Sequence, residues 1–243
     1  MRGAALARMV AAMLRFLTLA MLVAVAPARA AERSYFIGDF DRIRVEGPFD
    51  VRLATRGTPA ARVTGATDGL DVHVDARVLT IRGTARDSNG SSKAGAADPP
   101  TIYVRTTDLH GAAVIGGGKL VIAGPLRGAR VDLQISGSGS ITAPELAADQ
   151  VSVTLVGAGA MTLGGRTARL RVLSTGAGSI DASALLANEA LLRLDGSGAT
   201  QANARYVADV VTTGLGAVTV SGSPKCKVKA PAGAPVTCGG SAP

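Results

Sequence analysis

The sequence predicts an all-β protein: a right-handed parallel β-helix with rungs of about 20 residues and an irregular β-structured N-terminal part. Three observations support this fold class. A Gly-x-Gly motif recurs at near-constant spacing through the second half of the chain, and apolar residues alternate at period two on both sides of it. Aromatic residues make up only 3% of the 243 residues, which favours thin stacked layers over a compact sandwich.

The spacing of the glycine motif matches the rung of a β-solenoid. Motifs begin at residues 137, 157, 176, 196 and 214, after a glycine cluster at 116–118, so successive steps are 21, 20, 19, 20 and 18 residues. At about 3.3 Å per residue, one such period holds two or three short strands with their turns. Helical repeats are excluded because the apolar spacing is two rather than 3.6.

Both glycines of each motif fall in the inward-facing phase of the strand pattern. Leu133 and Ile135 before the motif share this phase with Ile141 after it. A straight strand would leave holes at the glycines. We therefore expect the chain to turn a corner there, or to pass close to the opposite wall, where only a hydrogen atom fits.

Residues 1–30 have the layout of a secretory signal peptide. Three arginines precede the apolar run from Phe16 to Val25, and Ala28-Arg29-Ala30 provides a cleavage site. The apolar run is too short for a membrane anchor, which needs about 20 residues. We expect export to the periplasm, the extracellular space or the cell surface, with no membrane span after cleavage.

Residues 31–108 are rich in strand patterns but lack the glycine motif. Ile43 and Val45 alternate before a Gly47-Pro48 turn, and Val51 and Leu53 alternate after it. This part forms either early, irregular rungs or a strand-built cap. Within it, the Ser-, Gly-, Ala- and Asp-rich segment 84–100 is predicted to be a mobile loop.

Residues 109–222 carry the repeats, and residues 223–243 form a C-terminal tail that contains Cys226 and Cys238. Two close cysteines in an exported chain indicate a disulfide, worth about 3 kcal/mol on the chain-entropy model. A metal site is the weaker alternative, because two thiols without a nearby histidine supply half a tetrahedral shell. The tail is expected to cover the last rung.

The charge does not point to nucleic acid. Four of the 26 basic residues and none of the 18 acidic residues lie in residues 1–30, so the net charge of the remainder is about +4. Apart from Lys225, Lys227 and Lys229, the basic residues are scattered, and Trp is absent. Nucleic-acid binders cluster such residues, often with stacking aromatics.

The sequence offers no catalytic, cofactor-binding or metal-binding constellation. A β-helix glycosidase needs carboxylates roughly 5–9.5 Å apart, in one column of adjacent rungs. Five positions before the first glycine, Asp132 and Asp209 share a column but have three rungs between them. His73 and His110 lie far apart without a neighbouring nucleophile. The nearest approach to a binding face is the small cluster Arg171, Arg193 and Asp195.

The stretch from Phe40 to Leu53, FDRIRVEGPFDVRL, together with the glycine ladder resembles the GIN-domain family of autotransporter adhesin heads. The resemblance covers about residues 38–222. It implies an exported right-handed parallel β-helix, often found in bacterial cell envelopes, with no established catalytic residues.

Two functions remain open from the sequence. The first is a non-catalytic, adhesin-like binding or structural module that meets an envelope glycan or protein. The second is a carbohydrate-active β-helix enzyme, a polysaccharide lyase or hydrolase, to which the 84–100 segment would contribute Asp87 and Asp98. The first hypothesis expects a broad binding surface on the outward strand faces or in the N-terminal half.

Overall fold

The computed structural model describes residues 32–65, 69–83 and 100–240. The expected signal peptide and nearly all of the expected 84–100 loop, including Asp87 and Asp98, lie outside the described residues. Residues 31–243 form one compact unit. Its 17 described strands join into one continuous hydrogen-bonded sheet.

The N-terminal strands are β1 (Glu32–Tyr35), β2 (Arg42–Glu46), β3 (Asp50–Ala54), β4 (Ala60–Thr64), β5 (Leu70–Asp75), β6 (Val78–Gly83) and β7 (Thr101–Arg105). The others are β8 (Gly111–Gly116), β9 (Lys119–Ala123), β10 (Leu126–Gly137), β11 (Ser140–Gly157), β12 (Ala160–Gly176), β13 (Ser179–Gly196), β14 (Thr200–Thr212), β15 (Val218–Ser221), β16 (Lys225–Lys229) and β17 (Val236–Gly240).

The long strands wind around the solenoid instead of running straight. The 18 residues of β11 contribute residues 140–143 to one side of the solenoid, residues 146–150 to another and residues 151–157 to the remaining one. We call the side that ends at the glycine motif the first side, the side after the motif the second, and the remaining one the third. Each rung pairs in parallel with the next, as in the register Val131 to Val151 to Leu170. The prediction of a parallel β-solenoid with rungs of about 20 residues is therefore confirmed.

The core consists of the inward-facing residues of every rung. Leu133, Ile135 and Ile141 are each exposed by 1% or less. Burying one such side chain stabilises the fold by about 1.5–3 kcal/mol. Because each rung covers the apolar face of the next, small Val, Leu, Ile and Ala side chains suffice to fill a narrow interior.

The glycine motif forms the corner between the first and second sides. Gly157 has a φ of +117°, and a Cβ built on it would lie 2.5 Å from the carbonyl oxygen of Gly137 in the preceding rung. A Cβ on Gly159 would lie 2.6 Å from the Gly139 oxygen and 2.7 Å from Ile135 Cγ2. The corner that we expected is confirmed, and the close neighbour is the backbone of the preceding rung, not the opposite wall.

The N-terminal rungs are stacked out of sequence order. Strand β2 pairs in parallel with both β6 and β8, and β3 pairs with both β7 and β9. The β2–β3 rung therefore lies between the β6–β7 rung and the β8–β9 rung. Gly47, with a φ of +122°, makes the same corner as the later motifs and donates its N–H to the Ile115 carbonyl at 3.0 Å.

Antiparallel strands surround this end of the stack. Strand β5 pairs with β6, while β4 pairs with β7 and β1 pairs with β4, all antiparallel. The N-terminal part thus contains both regular rungs and a strand-built cap, the two alternatives that the sequence left open. Strands β6 and β7 belong to one rung, because they pair with β2 and β3 respectively.

The C-terminal tail forms a further rung, which lies over the last rung that carries the glycine motif. Strand β16 pairs in parallel with β14, and β17 with β15. Cys226 is in register with Ala208, and Cys238 with Val220, so both cysteines occupy inward-facing positions. They form the expected disulfide, with a sulfur–sulfur distance of 1.99 Å. The bond joins the two sides of this final rung.

Strand β16 is an edge strand protected by charge. Among the described residues it has one parallel strand neighbour, β14, and Lys225, Lys227 and Lys229 alternate along its exposed length. Lysines on an edge prevent pairing with the edge of another molecule. We expect replacement of all three by threonine to cause concentration-dependent self-association, measured by light scattering after size-exclusion chromatography.

The matched control removes three positive charges from strands that are not at an edge. Lys119, Arg166 and Arg171 are exposed at positions where their strands pair on both sides. Threonine at these three positions is expected to leave the molar mass unchanged. An edge variant with the mass of the wild type at every concentration would contradict this role of the lysines.

Within the described residues, no helix has the length and apolar character needed to cross a membrane.

Candidate binding groove

An open groove of about 660 Å³ lies at the N-terminal end of the solenoid. It follows the outer surface of the second side, where β1, β4, β7, β3 and β9 are neighbours in that order. The chain segment after β1, with Phe36 and Ile37, and the β3–β4 turn, with Pro59, complete the lining. We call this feature the N-terminal groove. Its volume falls within the range of about 300–1,000 Å³ that is usual for small-molecule sites.

Small side chains create the depression. Ala54, Ala60 and Ala123 occupy one row across the sheet together with Arg105, since the register pairs Ala54 with Arg105 and Ala123, and Arg105 with Ala60. Alanines at outward positions leave space that longer side chains of the neighbouring row enclose. The neighbouring row runs Arg62, Tyr103, Arg52 and Val121.

The lining is positively charged. Its described residues include Arg52, Arg62 and Arg105, and none of these described lining residues is acidic. The guanidinium carbon of Arg52 lies 5.9 Å from the centre of the Tyr103 ring, a cation–π arrangement. The nearest carboxylate oxygen to Arg52 belongs to Asp50, at 3.9 Å. The stem of Arg105 packs beside Gly57, where a Cβ would lie 3.4 Å from Arg105 Cδ.

Two aromatic residues mark the β1 side of the groove. Phe36 is fully exposed, which is costly for an apolar side chain unless something covers it. Tyr35 is partly buried, and its hydroxyl oxygen is one of two buried side-chain polar atoms without a hydrogen-bond partner among the described residues. The groove therefore presents apolar surface and positive charge together.

The cluster predicted from the sequence lies elsewhere. Arg171, Arg193 and Asp195 are exposed on the first side, on β12 and β13. Arg193 forms an exposed ion pair with Asp209, at 3.3 Å, on the next rung. Arg171 is in register with Leu191, and Asp195 with Thr175. The three residues share one face of the solenoid, while the groove occupies another, and their binding role stays a prediction.

The acidic residues of the repeats are dispersed in exposed ion pairs. Asp132 contacts Arg130 at 3.0 Å, and Glu189 contacts Arg169 at 3.3 Å. The register places Ser152, Arg171 and Leu191 between Asp132 and Asp209, so these acids are about 19 Å apart at 4.8 Å per rung. In the part of the chain that the structure describes, no three His, Cys, Asp or Glu side chains are grouped to hold a metal ion.

The two histidines are separate, as the sequence indicated. His73 on β5 contacts Asp71 at 3.3 Å, and Arg82 contacts the same carboxylate at 2.9 Å. Partial burial works against ionisation of Asp71, but the hydrogen bonds and charges of Arg82 and His73 outweigh it and lower the pKa below its ordinary 3.8. His110 precedes β8, with its ring beside Gly128. These contacts stabilise the strands locally.

Sequence reasoning missed the groove. Its arginines and Tyr103 do stand at outward positions of alternating strands, which is a readable signal. Their assembly depends on β7 lying between β3 and β4, a pairing of segments about 40 to 50 residues apart. Nothing in the local pattern of any one strand specifies this arrangement.

Fold and groove together define a parallel β-solenoid with a positively charged, partly apolar groove at its N-terminal end. A family model matches residues 39–224, and the chain belongs to this family, described as "putative auto-transporter adhesin, head GIN domain". The resemblance seen in the sequence is therefore confirmed. No curated relative matches the chain significantly.

Solved structures share the fold at low sequence identity. A "putative adhesin" from Bacteroides fragilis is 21% identical with a TM-score of 0.72, covering 87% of this chain and 94% of the other. A "putative lipid binding protein" from Parabacteroides distasonis is 20% identical with a TM-score of 0.65, covering 89% and 96%. A "putative adhesin" from Parabacteroides merdae is 17% identical with a TM-score of 0.62, covering 88% and 96%.

Proposed function

We propose that this protein is exported to the cell envelope and works there as a non-catalytic binding module whose binding site is the N-terminal groove. Export rests on the signal-peptide pattern of residues 1–30. The binding role rests on the groove itself, which is open, of ligand size and, in the part of the chain that the structure describes, lined by three arginines and no acid. The names of two structural neighbours, an adhesin and a lipid-binding protein, both describe binding functions.

The rest of the molecule suits a rigid support for such a site. Successive rungs are held by continuous parallel hydrogen bonding from β8 to β17. The groove is built on regular strands of the end rungs, which fix its side chains more firmly than a loop does. Its arginines suit electrostatic recognition of an anionic partner.

The experiment is a saturation-binding measurement on isolated cell envelopes of the source organism with labelled protein. We expect saturable binding by the wild type. Leucine at Ala60 and Ala123 fills the row of small residues and is expected to weaken envelope binding at least about tenfold, since ligand contacts are lost over the filled area.

The control for the filled groove uses the same substitutions on distant rungs. Ala147 and Ala160 are exposed on β11 and β12. Leucine at both positions is expected to leave envelope binding unchanged. Equal binding by the wild type and the variant with leucine at 60 and 123 would show that the groove is not the binding site.

A further inference from the structure

We infer that the N-terminal groove binds an amphiphilic anion, a molecule with a single carboxylate or phosphate head group on an apolar chain. This inference rests on the proposed function and names the ligand class of the same site. It follows from the apolar and the positively charged surface that meet in the groove.

The apolar part of the groove fits a hydrocarbon chain. Phe36, Ile37 and Pro59 lie along one part of the lining, and Ala54, Ala60 and Ala123 form the row of small residues. Phe36 is fully exposed. A bound chain would remove this ring and the alanine methyl groups from water, and the gain is proportional to the apolar area that is covered.

The charged part of the groove fits one anionic head group. Arg52 and Arg105 are on adjacent strands, with Arg105 in register with Ala54, two residues after Arg52. A guanidinium group binds a carboxylate or phosphate in bidentate fashion, with charge-assisted hydrogen bonds. Among the described residues the lining contains no acidic side chain. Asp50, outside the lining, lies 3.9 Å from Arg52, at the long end of ion-pair distance, so a bound anion would compete only with this weak contact.

The same lining is poorly suited to a neutral glycan. Each sugar hydroxyl is both a donor and an acceptor, and carboxylate and amide side chains are the acceptors that pair with it. Among the described residues, no Asp, Glu, Asn, Gln or His lines the groove. The side-chain acceptors of this described lining are hydroxyl groups, from Ser34, Thr64 and Tyr103. An amphiphilic anion leaves fewer polar groups unpaired.

The test is isothermal titration calorimetry on residues 31–243, which form a compact unit. The probes are laurate and dodecyltrimethylammonium, which have similar chains and opposite charge, and acetate, which has the head group alone. All are used below their micelle concentrations. We expect laurate to bind at one site, and the cation and acetate to bind at least about tenfold more weakly, because each lacks one of the two contributions.

Variants locate the site. Glutamine at Arg52 and Arg105 is expected to weaken laurate binding at least about tenfold, the loss of a charge-assisted hydrogen bond. Glutamine at Arg127 and Arg166, two exposed arginines of the third side, is expected to change it less than about twofold. Thermal unfolding and circular dichroism of each variant verify the fold. Leucine at Ala60 and Ala123 provides an independent loss of binding that leaves the arginines in place.

Equal affinity for laurate and the cation, or unchanged laurate binding after loss of both groove arginines, would overturn the inference. Failure of laurate to bind, while filling the groove still abolishes envelope binding, would overturn the ligand class and leave the proposed function intact. If laurate does not bind and filling the groove also leaves envelope binding unchanged, the proposed function itself is overturned.

Discussion

Replacing Gly157 by alanine is expected to lower the free energy of unfolding by about 3 kcal/mol or more, enough to threaten the fold of a marginally stable chain. Two effects add. The φ of +117° is strained for any residue with a Cβ, at about 1–3 kcal/mol. The new methyl group would also lie 2.5 Å from the Gly137 oxygen, so the two rungs must separate and their hydrogen bonds weaken. Urea unfolding followed by circular dichroism measures the loss.

Two other glycines separate these effects. Gly233 has a φ of +79° but nothing within 4 Å of a built Cβ, so alanine there carries backbone strain alone. Gly38 has open space and an ordinary φ, so alanine there is expected to be neutral or slightly stabilising. The expected order of destabilisation is Gly157, then Gly233, then Gly38. A Gly157 variant no less stable than the Gly233 variant would contradict the stacking role of the corner.

Replacing Cys226 and Cys238 by alanine removes the disulfide and is expected to lower the free energy of unfolding by about 3 kcal/mol. We expect this loss of stability to be concentrated in the last rung. The bond closes a segment of 12 residues and joins β16 to β17, which contact the rest of the solenoid through one rung only. Solenoids lose end rungs independently of central ones because each rung contacts only its neighbours. Native-state hydrogen exchange should therefore show early opening of residues 225–240.

The central rungs provide the internal reference for this measurement. Amides of residues 151–156 in β11, flanked by rungs on both sides, should keep their protection. Alanine at Val228, a half-exposed residue of the same last rung, is the matched control and should cost less than about 1 kcal/mol. Unchanged exchange in residues 225–240 after removal of the cysteines would show that strand pairing alone holds the last rung.

The repeat region could be predicted because its determinants are local. The alternation of apolar residues and the position of each Gly-x-Gly motif can be read within a single rung. The neighbouring rungs show the same pattern again. The register from Gly137 to Gly157 and Gly176 follows the spacing seen in the sequence. The disulfide between Cys226 and Cys238 could be predicted as well, because two close thiols become oxidised in the compartments to which signal peptides direct a chain.

The N-terminal stacking order could not be predicted because it depends on long-range pairing. Strand β2 pairs with β6, and also with β8, about 70 residues further along the chain. The corner at Gly47 lacks the second glycine: Phe49 stands there, and its ring lies 2.9 Å from a Cβ built on Gly47. The motif is thus incomplete in the rung that would have revealed the order.

The candidate site was missed for a related reason. The sequence suggested a binding face at Arg171, Arg193 and Asp195 because these residues lie in the repeats. There, neighbouring rungs can be aligned by counting residues from each glycine motif. The groove is assembled from β1, β3, β4, β7 and β9, whose neighbours in space are not neighbours in the chain. The expectation of a site in the irregular N-terminal half agrees with the proposed location.

Hydrogen–deuterium exchange of residues 31–243, with and without saturating laurate, tests the proposed binding site most directly. The proposal expects slower exchange in residues 34–37, 52–54, 60–62 and 103–105, which line the groove. It expects no change on the second side of the later rungs, at residues 142, 162 and 219. Protection of those later rungs, with unchanged exchange around Arg52 and Arg105, would contradict the assignment of the groove as the binding site.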